Sequence, residues 1–100
     1  MFDTISMKQL EGLLEQNRPM TLLDVRTRDE FLSGHLESAV NIPLEELESR
    51  YMVLSREKPV IVYCAHGSRS MMAARFLTQQ GFRAVNTAGG LSAYRGKHYL

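Results

Sequence analysis

Short β-branched runs alternate with amphipathic stretches along the whole chain, and this alternation is the strongest constraint on its fold. The runs are Asp3–Ile5, Thr21–Val25, Ala39–Ile42, Pro59–Tyr63 and Arg83–Asn86. Each is too brief for a stable helix, and the Val and Ile content suits strands buried on both faces. Between them lie helical patterns with readable starts. Ser6 and Gln9 have capping-box spacing, with Ile5 and Leu10 placed as a hydrophobic staple, and Thr27 with Glu30 repeats the spacing. Pro43 suits the first turn of a helix carrying Leu44, Leu47, Tyr51 and Leu54 inward. A further helix is predicted from about Arg69 to Gln80, stopped by Gly81, with Gly89-Gly90 opening a last short turn that ends near Tyr94. Strand–helix alternation of this kind calls for an α/β fold, a mainly parallel sheet with helices on both faces.

Bulk properties narrow the function. The 100 residues fit a single domain, expected over 1–100, and 44% apolar with 23% charged residues is ordinary globular composition. A net charge of +1, with basic residues scattered among acids, gives no electrostatic reason to expect nucleic acid or an anionic membrane as partner. No apolar stretch approaches the roughly 18 residues of a membrane span, and the start lacks the cationic flank and apolar block of a signal peptide. One cysteine permits no internal disulfide, so the expected location is the cytoplasm.

In a parallel α/β sheet, ligands bind at loops leaving the carboxyl ends of strands. The strongest strand signal, Val60–Tyr63, runs directly into Cys64-Ala65-His66-Gly67-Ser68-Arg69-Ser70 and then into a helix. Gly67 and its small neighbours let the backbone curl and aim amide hydrogens at one point, in line with the positive end of the helix dipole. Cys64 stands where an anion would be stabilised. A free thiol is only about 3% thiolate at neutral pH, and making the thiolate the major form requires roughly 2.7 kcal/mol. Several amide bonds, the dipole and the nearby Arg69 guanidinium are sources of that order. The local pattern leaves two readings, an activated thiol and an inert buried cysteine.

These motifs resemble those of the rhodanese-like sulfurtransferases over nearly the whole chain. Asp24-Val25-Arg26, Glu30-Phe31, Gly34-His35-Leu36, Ala39, Asn41-Ile42-Pro43, Tyr63-Cys64, Gly67, Arg69-Ser70, Ala74, Gly81-Phe82 and Gly89-Gly90 follow the family's order and spacing. The resemblance implies a three-layer α/β/α rhodanese-like fold with a five-stranded sheet. It further implies that Cys64 carries sulfane sulfur as a persulfide, taken from a donor such as thiosulfate and passed to cyanide or a thiol, with no metal or organic cofactor. Ala65, His66, Gly67, Ser68 and Arg69 form the implied substrate loop. Related phosphatases separate Cys and Arg by five residues where this chain has four, which favours sulfur over a tetrahedral oxyanion. The partners implied are a small sulfur donor and a thiol acceptor. The alternatives kept open are a persulfide carrier serving a persulfide-bearing protein and, behind it, a phosphatase or arsenate reductase of the same fold. Tyr94 stands where the family usually has Trp, so altered packing is expected there.

The supporting residues have plainer expectations. Asp24 is expected to bond loop amides, Arg26 to pair with Glu30, and His35 to act as a hydrogen-bonding scaffold. His66 divides evenly between a solvated side chain and one that steers anionic donors or tunes Cys64. Cys64 with His35, His66 and His98 has no recognisable zinc spacing, so no metal site is expected. Met71 and Met72 read as packing or a partner-facing patch.

Overall fold

A computed structural model describes all residues, 1–100. The order is β1 (Asp3–Ser6), α1 (Met7–Glu15), β2 (Thr21–Asp24), α2 (Arg28–Leu32), β3 (Val40–Asn41), α3 (Leu44–Arg50), β4 (Val60–Tyr63), α4 (Ser68–Gln79) and β5 (Ala84–Ala88). Short 3₁₀ turns occupy Tyr51–Val53 and Leu91–Ala93. The strands form one parallel sheet in the order β1-β5-β4-β2-β3. The α/β class, the five-stranded parallel sheet and the flanking helices therefore stand as expected.

Side-chain alternation along β4 divides the core. Val60, Val62 and Cys64 face one side, where they pack with Leu47 of α3 and with Ala73, Ala74 and Leu77 of α4. Ile61 and Tyr63 face the other, with Met7 and Leu10 of α1, Leu36 and Tyr94. Leu10, Leu47 and Leu77 are fully buried, and each such side chain contributes about 1.5–3 kcal/mol relative to exposure. Strand parity has a direct consequence for the site: a residue one step past Tyr63 must turn toward α4.

Both capping boxes form. Ser6 Oγ accepts the Gln9 amide at 3.0 Å and Gln9 Oε1 accepts the Ser6 amide at 2.8 Å. Thr27 and Glu30 do the same at the start of α2. Two elements are shorter than the sequence suggests. β3 pairs with β2 through two residues only, because it is the sheet edge and the chain turns away at Ile42 to enter α3. Tyr51 and Leu54 pack against the core as expected, yet α3 ends at Arg50 and the chain passes into a 3₁₀ turn.

The segment after Tyr94 has no periodic pattern in the sequence, and it lies as a strap across the α1 side. The Tyr94 hydroxyl donates to Glu11 and accepts the His98 amide at 2.8 Å. The His98 ring lies between Glu15 at 2.7 Å and Glu37 at 3.1 Å, and the Glu15 carboxylate holds its pKa above the ordinary value. His35 and Leu100 exchange two backbone hydrogen bonds. Tyr94 thus packs within the α1-side core and ties α1 to the strap through its hydroxyl. No helix is long and apolar enough to cross a membrane.

Candidate active site

Cys64 leaves the end of β4 on the α4 side and is only 1% exposed. The chain then curls through Ala65, His66 and Gly67 into α4. Gly67 is the residue before the first turn, at φ 110°, a backbone region that L side chains rarely adopt. A Cβ there would also lie 3.2 Å from the Gly89 amide nitrogen. This curl returns the backbone over the sulfur. Cys64 Sγ accepts the Gly67 amide at 3.0 Å and the Ser70 amide at 3.3 Å.

The Gly89-Gly90 turn closes the loop from behind. Leu91 N donates to Cys64 O at 2.7 Å and Ser92 N to Ala65 O at 3.0 Å. A Cβ on Gly90 would fall 2.3 Å from the Ala65 carbonyl, so the close docking of turn on loop requires glycine there. The backbone of the loop is consequently held at both Cys64 and Ala65, and its amide hydrogens keep their aim.

Burial pushes the Cys64 thiol up, while the Ser70 hydroxyl and the amides of Ser70, Gly67 and His66 pull it down. The downward pull wins, and the pKa lies below the ordinary thiol value. Ser70 is the contributor that sequence reasoning left without a role. Its hydroxyl lies 3.5 Å from Sγ and 2.6 Å from Asn86 Oδ1, and it lowers the Cys64 pKa by donating its hydrogen to the thiolate when the sulfur is charged. The signal was available: Ser70 falls in the first turn of a helix whose start curls around the cysteine sulfur. Asn86 could not be found that way, because β5 is distant in sequence and comes beside Ser70 only once the sheet is assembled.

Two expected pairings are corrected. Arg26 does not reach Glu30. Its guanidinium folds back two residues onto Asp24, with Nη2 to Oδ2 at 2.7 Å, and both residues are buried. Asp24 does accept a loop amide, that of Arg26, at 2.9 Å. The short loop between β2 and α2 keeps both side chains on the interior side of the sheet end, where each charge neutralises the other. Glu30 instead takes Arg69 in a bidentate pair, at 2.7 and 3.0 Å. That pair, chiefly, holds the Glu30 carboxyl at about 2. Arg69 is therefore committed to Glu30, and the main groups that lower the Cys64 pKa are amides and Ser70, not the guanidinium expected from the spacing.

The remaining expected residues fall as follows. His35 acts as the scaffold group foreseen: its Nδ1 meets Phe31 O at 2.9 Å and its ring stacks on Phe31 at 3.8 Å. His66 is exposed, with Nδ1 3.2 Å from Ser92 Oγ; its amide, more than its ring, bears on Cys64. Ser68 is exposed at the first position of α4. His98 lies with Glu11 and Glu15, away from Cys64.

The geometry is that of a thiolate cradle, with hydrogen-bond donors fixed around one sulfur and no need for rearrangement when charge develops there. Comparison with known proteins agrees with this architecture. The sequence model of the family described as "Rhodanese-like domain" matches residues 6–97. The thiosulfate sulfurtransferase GlpE of Coxiella burnetii is 33% identical over 86 residues, covering 85% of this chain and 80% of that protein. A sulfurtransferase of Allochromatium vinosum is 30% identical over 95 residues, covering 94% and 89%. In some longer relatives the match is partial, spanning 20% of one and 51% of another. The crystal structure of a rhodanese-like domain protein from Staphylococcus aureus superposes with a TM-score of 0.91 at 26% identity, covering 99% of this chain and 97% of that one.

Proposed function

The chain belongs to the rhodanese-like domain family, and from that membership we propose that it transfers sulfane sulfur through a persulfide on Cys64. The observation that carries the reading is the sulfur itself, buried at the start of α4 and accepting the Gly67 and Ser70 amides. In the first half-reaction the Cys64 thiolate attacks the sulfane sulfur of a donor such as thiosulfate. A Cys64 S–S bond forms, the donor's S–S bond breaks, and sulfite leaves with the electron pair. In the second, cyanide or a thiolate attacks the outer sulfur and Cys64 departs as thiolate. The amides that lower the Cys64 pKa serve both steps, because the same sulfur is anionic nucleophile in one and anionic leaving group in the other. Neither step calls for a metal or an organic cofactor. Asp24 and Arg26 support the ends of the strands, and the Glu30–Arg69 pair ties α2 to the first turn of α4.

Incubation with thiosulfate is expected to add about 32 Da, one sulfur, to the intact chain. Cyanide is expected to remove it as thiocyanate, and Cys64→Ser to prevent it. Absence of an adduct with thiosulfate and with other sulfane donors overturns the reading.

A second reading, in which the persulfide is exchanged with a protein, draws on the exposed Leu32 of α2 and Met71 and Met72 of α4, the helices that the Glu30–Arg69 pair joins. Slow turnover with thiosulfate beside rapid exchange with a persulfide-bearing protein distinguishes it.

A further inference from the structure

Asn86 is only 1% exposed, and its carboxamide is half used. Oδ1 lies 2.6 Å from the Ser70 hydroxyl, while the buried Nδ2 meets no protein acceptor. A buried N–H group is left without a partner more rarely than a carbonyl oxygen is. The side chain stands on the α4 side of β5, because Asn86 is in register with Val62 of β4, which faces α4 as Cys64 does. Ser70, between Asn86 and the sulfur, has one hydroxyl hydrogen and more acceptors than it can serve. Asn86 Oδ1 is at 2.6 Å, Gly67 O at 3.1 Å, and Thr87 O and Cys64 Sγ are each at 3.5 Å. With the hydrogen on the nearest of these, the hydroxyl oxygen faces Sγ as an acceptor for the thiol hydrogen. That chain suits a neutral thiol. A thiolate needs a donor, and the Ser70 hydrogen then points the wrong way.

We propose that Asn86 is a positioning residue for the Cys64 thiolate: its carboxamide turns over when the sulfur is charged, so that Nδ2 donates to Ser70 Oγ and the Ser70 hydroxyl donates to Sγ. The inference deepens the persulfide reading above, since the anion so held is the nucleophile of the first half-reaction and the leaving group of the second. The thiol proton goes to solvent, and no covalent bond of Ser70 or Asn86 changes. A half-turn about the last side-chain torsion exchanges Oδ1 and Nδ2 within one outline, so the core around them keeps its packing. It gives the unpaired NH2 an acceptor and leaves in its place a carbonyl oxygen, the easier group to bury alone. It also makes Ser70 Oγ an acceptor, which polarises its O–H toward the sulfur. The Gly67 and Ser70 amides are fixed by the backbone and point at Sγ whatever its charge; the hydroxyl and carboxamide are the part that can reverse. Arg69 is paired with Glu30, and the His66 ring turns to Ser92, so neither supplies this donor. Against the burial that raises the Cys64 pKa, the Ser70 hydroxyl is the largest of the lowering groups.

The test reads the thiolate without any sulfur donor, by iodoacetamide alkylation of Cys64, the one cysteine of the chain, as a function of pH. Asn86→Leu, close in size and unable to donate, is expected to move the profile toward higher pH. At neutral pH it is expected to slow alkylation about tenfold, in keeping with the loss of one hydrogen bond to a charged group. In a Ser70→Ala background the same substitution is expected to add nothing, because Asn86 acts through Ser70. In nitrogen-labelled wild-type protein the NMR signals of the Asn86 side-chain NH2 are expected to shift with pH at the midpoint of the alkylation profile, a readout that needs no variant to fold. An unmoved profile in folded Asn86→Leu, an equal effect in the Ser70→Ala background, or NH2 signals that ignore the Cys64 titration overturns the proposal. A moved profile in a protein that forms no persulfide leaves the role of Asn86 standing and overturns the sulfur-transfer reading instead.

Discussion

At the start of α1 the amide of the third helical residue, Gln9, is taken by Ser6 Oγ, and at the start of α2 that of Glu30 is taken by Thr27 Oγ1. At the start of α4 the equivalent amide belongs to Ser70, and its acceptor is Cys64 Sγ. The first two helices are closed by the hydroxyl of the residue immediately before them. The third has Gly67 in that place, with no side chain to offer, and borrows its acceptor from the end of β4 three residues earlier. A local cap satisfies the helix permanently. A sulfur in the same position satisfies it while remaining able to gain and lose charge, so the helix end that lacks its own cap is the one available for chemistry.

The largest effect that tests this contrast is expected at Gly67. Gly67→Ala must place a Cβ at φ 110° and 3.2 Å from Gly89 N, a strain of about 1–3 kcal/mol. Relief of the strain moves the Gly67 amide off the sulfur. Unfolding in denaturant is expected to show the loss of stability, and the pH profile of Cys64 alkylation to move toward higher pH. An unmoved profile breaks the assignment of the amides as the stabilising groups. Ser6→Ala is the counterpart at a locally capped helix. It is expected to cost about 1 kcal/mol and to leave the alkylation profile where it was; a displaced profile breaks the separation of the two kinds of helix start.

The smallest effect is expected from Glu30→Gln, which keeps a capping-box side chain but removes the charge facing Arg69. At neutral pH the loss is expected within the range of partly exposed ion pairs, about 0.2–1 kcal/mol. Its pH dependence is more telling. The folded-state pKa of about 2 lies below the ordinary 4.5, so the folded chain binds fewer protons than the unfolded chain between those values. The contribution is present above about 4.5 and lost as pH falls through about 2. Thermal unfolding of wild type and variant is expected to converge on the acid side, and parallel curves across that window contradict the pairing.

Features carried by neighbouring residues were legible in the sequence. Both capping boxes, the strand runs and the stop at Gly81 depend on spacings of a few positions, and each is found in the structure. Ion pairing was less legible. Arg26 can reach either Asp24 or Glu30 by sequence distance; which carboxylate lies inside with it depends on how β2 ends against the sheet, and Asp24 does. Glu30 and Arg69 are 39 residues apart and meet because α2 and α4 approach at the sheet's carboxyl end. The strap that Tyr94 and His98 tie to α1 had no periodic signature at all, since single side-chain bonds hold it rather than a repeating pattern.

What the sequence by itself determined is the alternation of strands and helices, the glycine that opens the turn before α4, and a cysteine one step past the strongest strand. These follow from local backbone preference and from side-chain period. The tertiary structure decided which groups surround the sulfur. The parity of β4 turned Cys64 to α4, the Gly89-Gly90 turn pinned the loop from behind, and β5 brought Asn86 under Ser70. Arg69, the charge nearest in sequence, was drawn to Glu30 because a bidentate carboxylate is a better partner for guanidinium than a single sulfur already satisfied by amides.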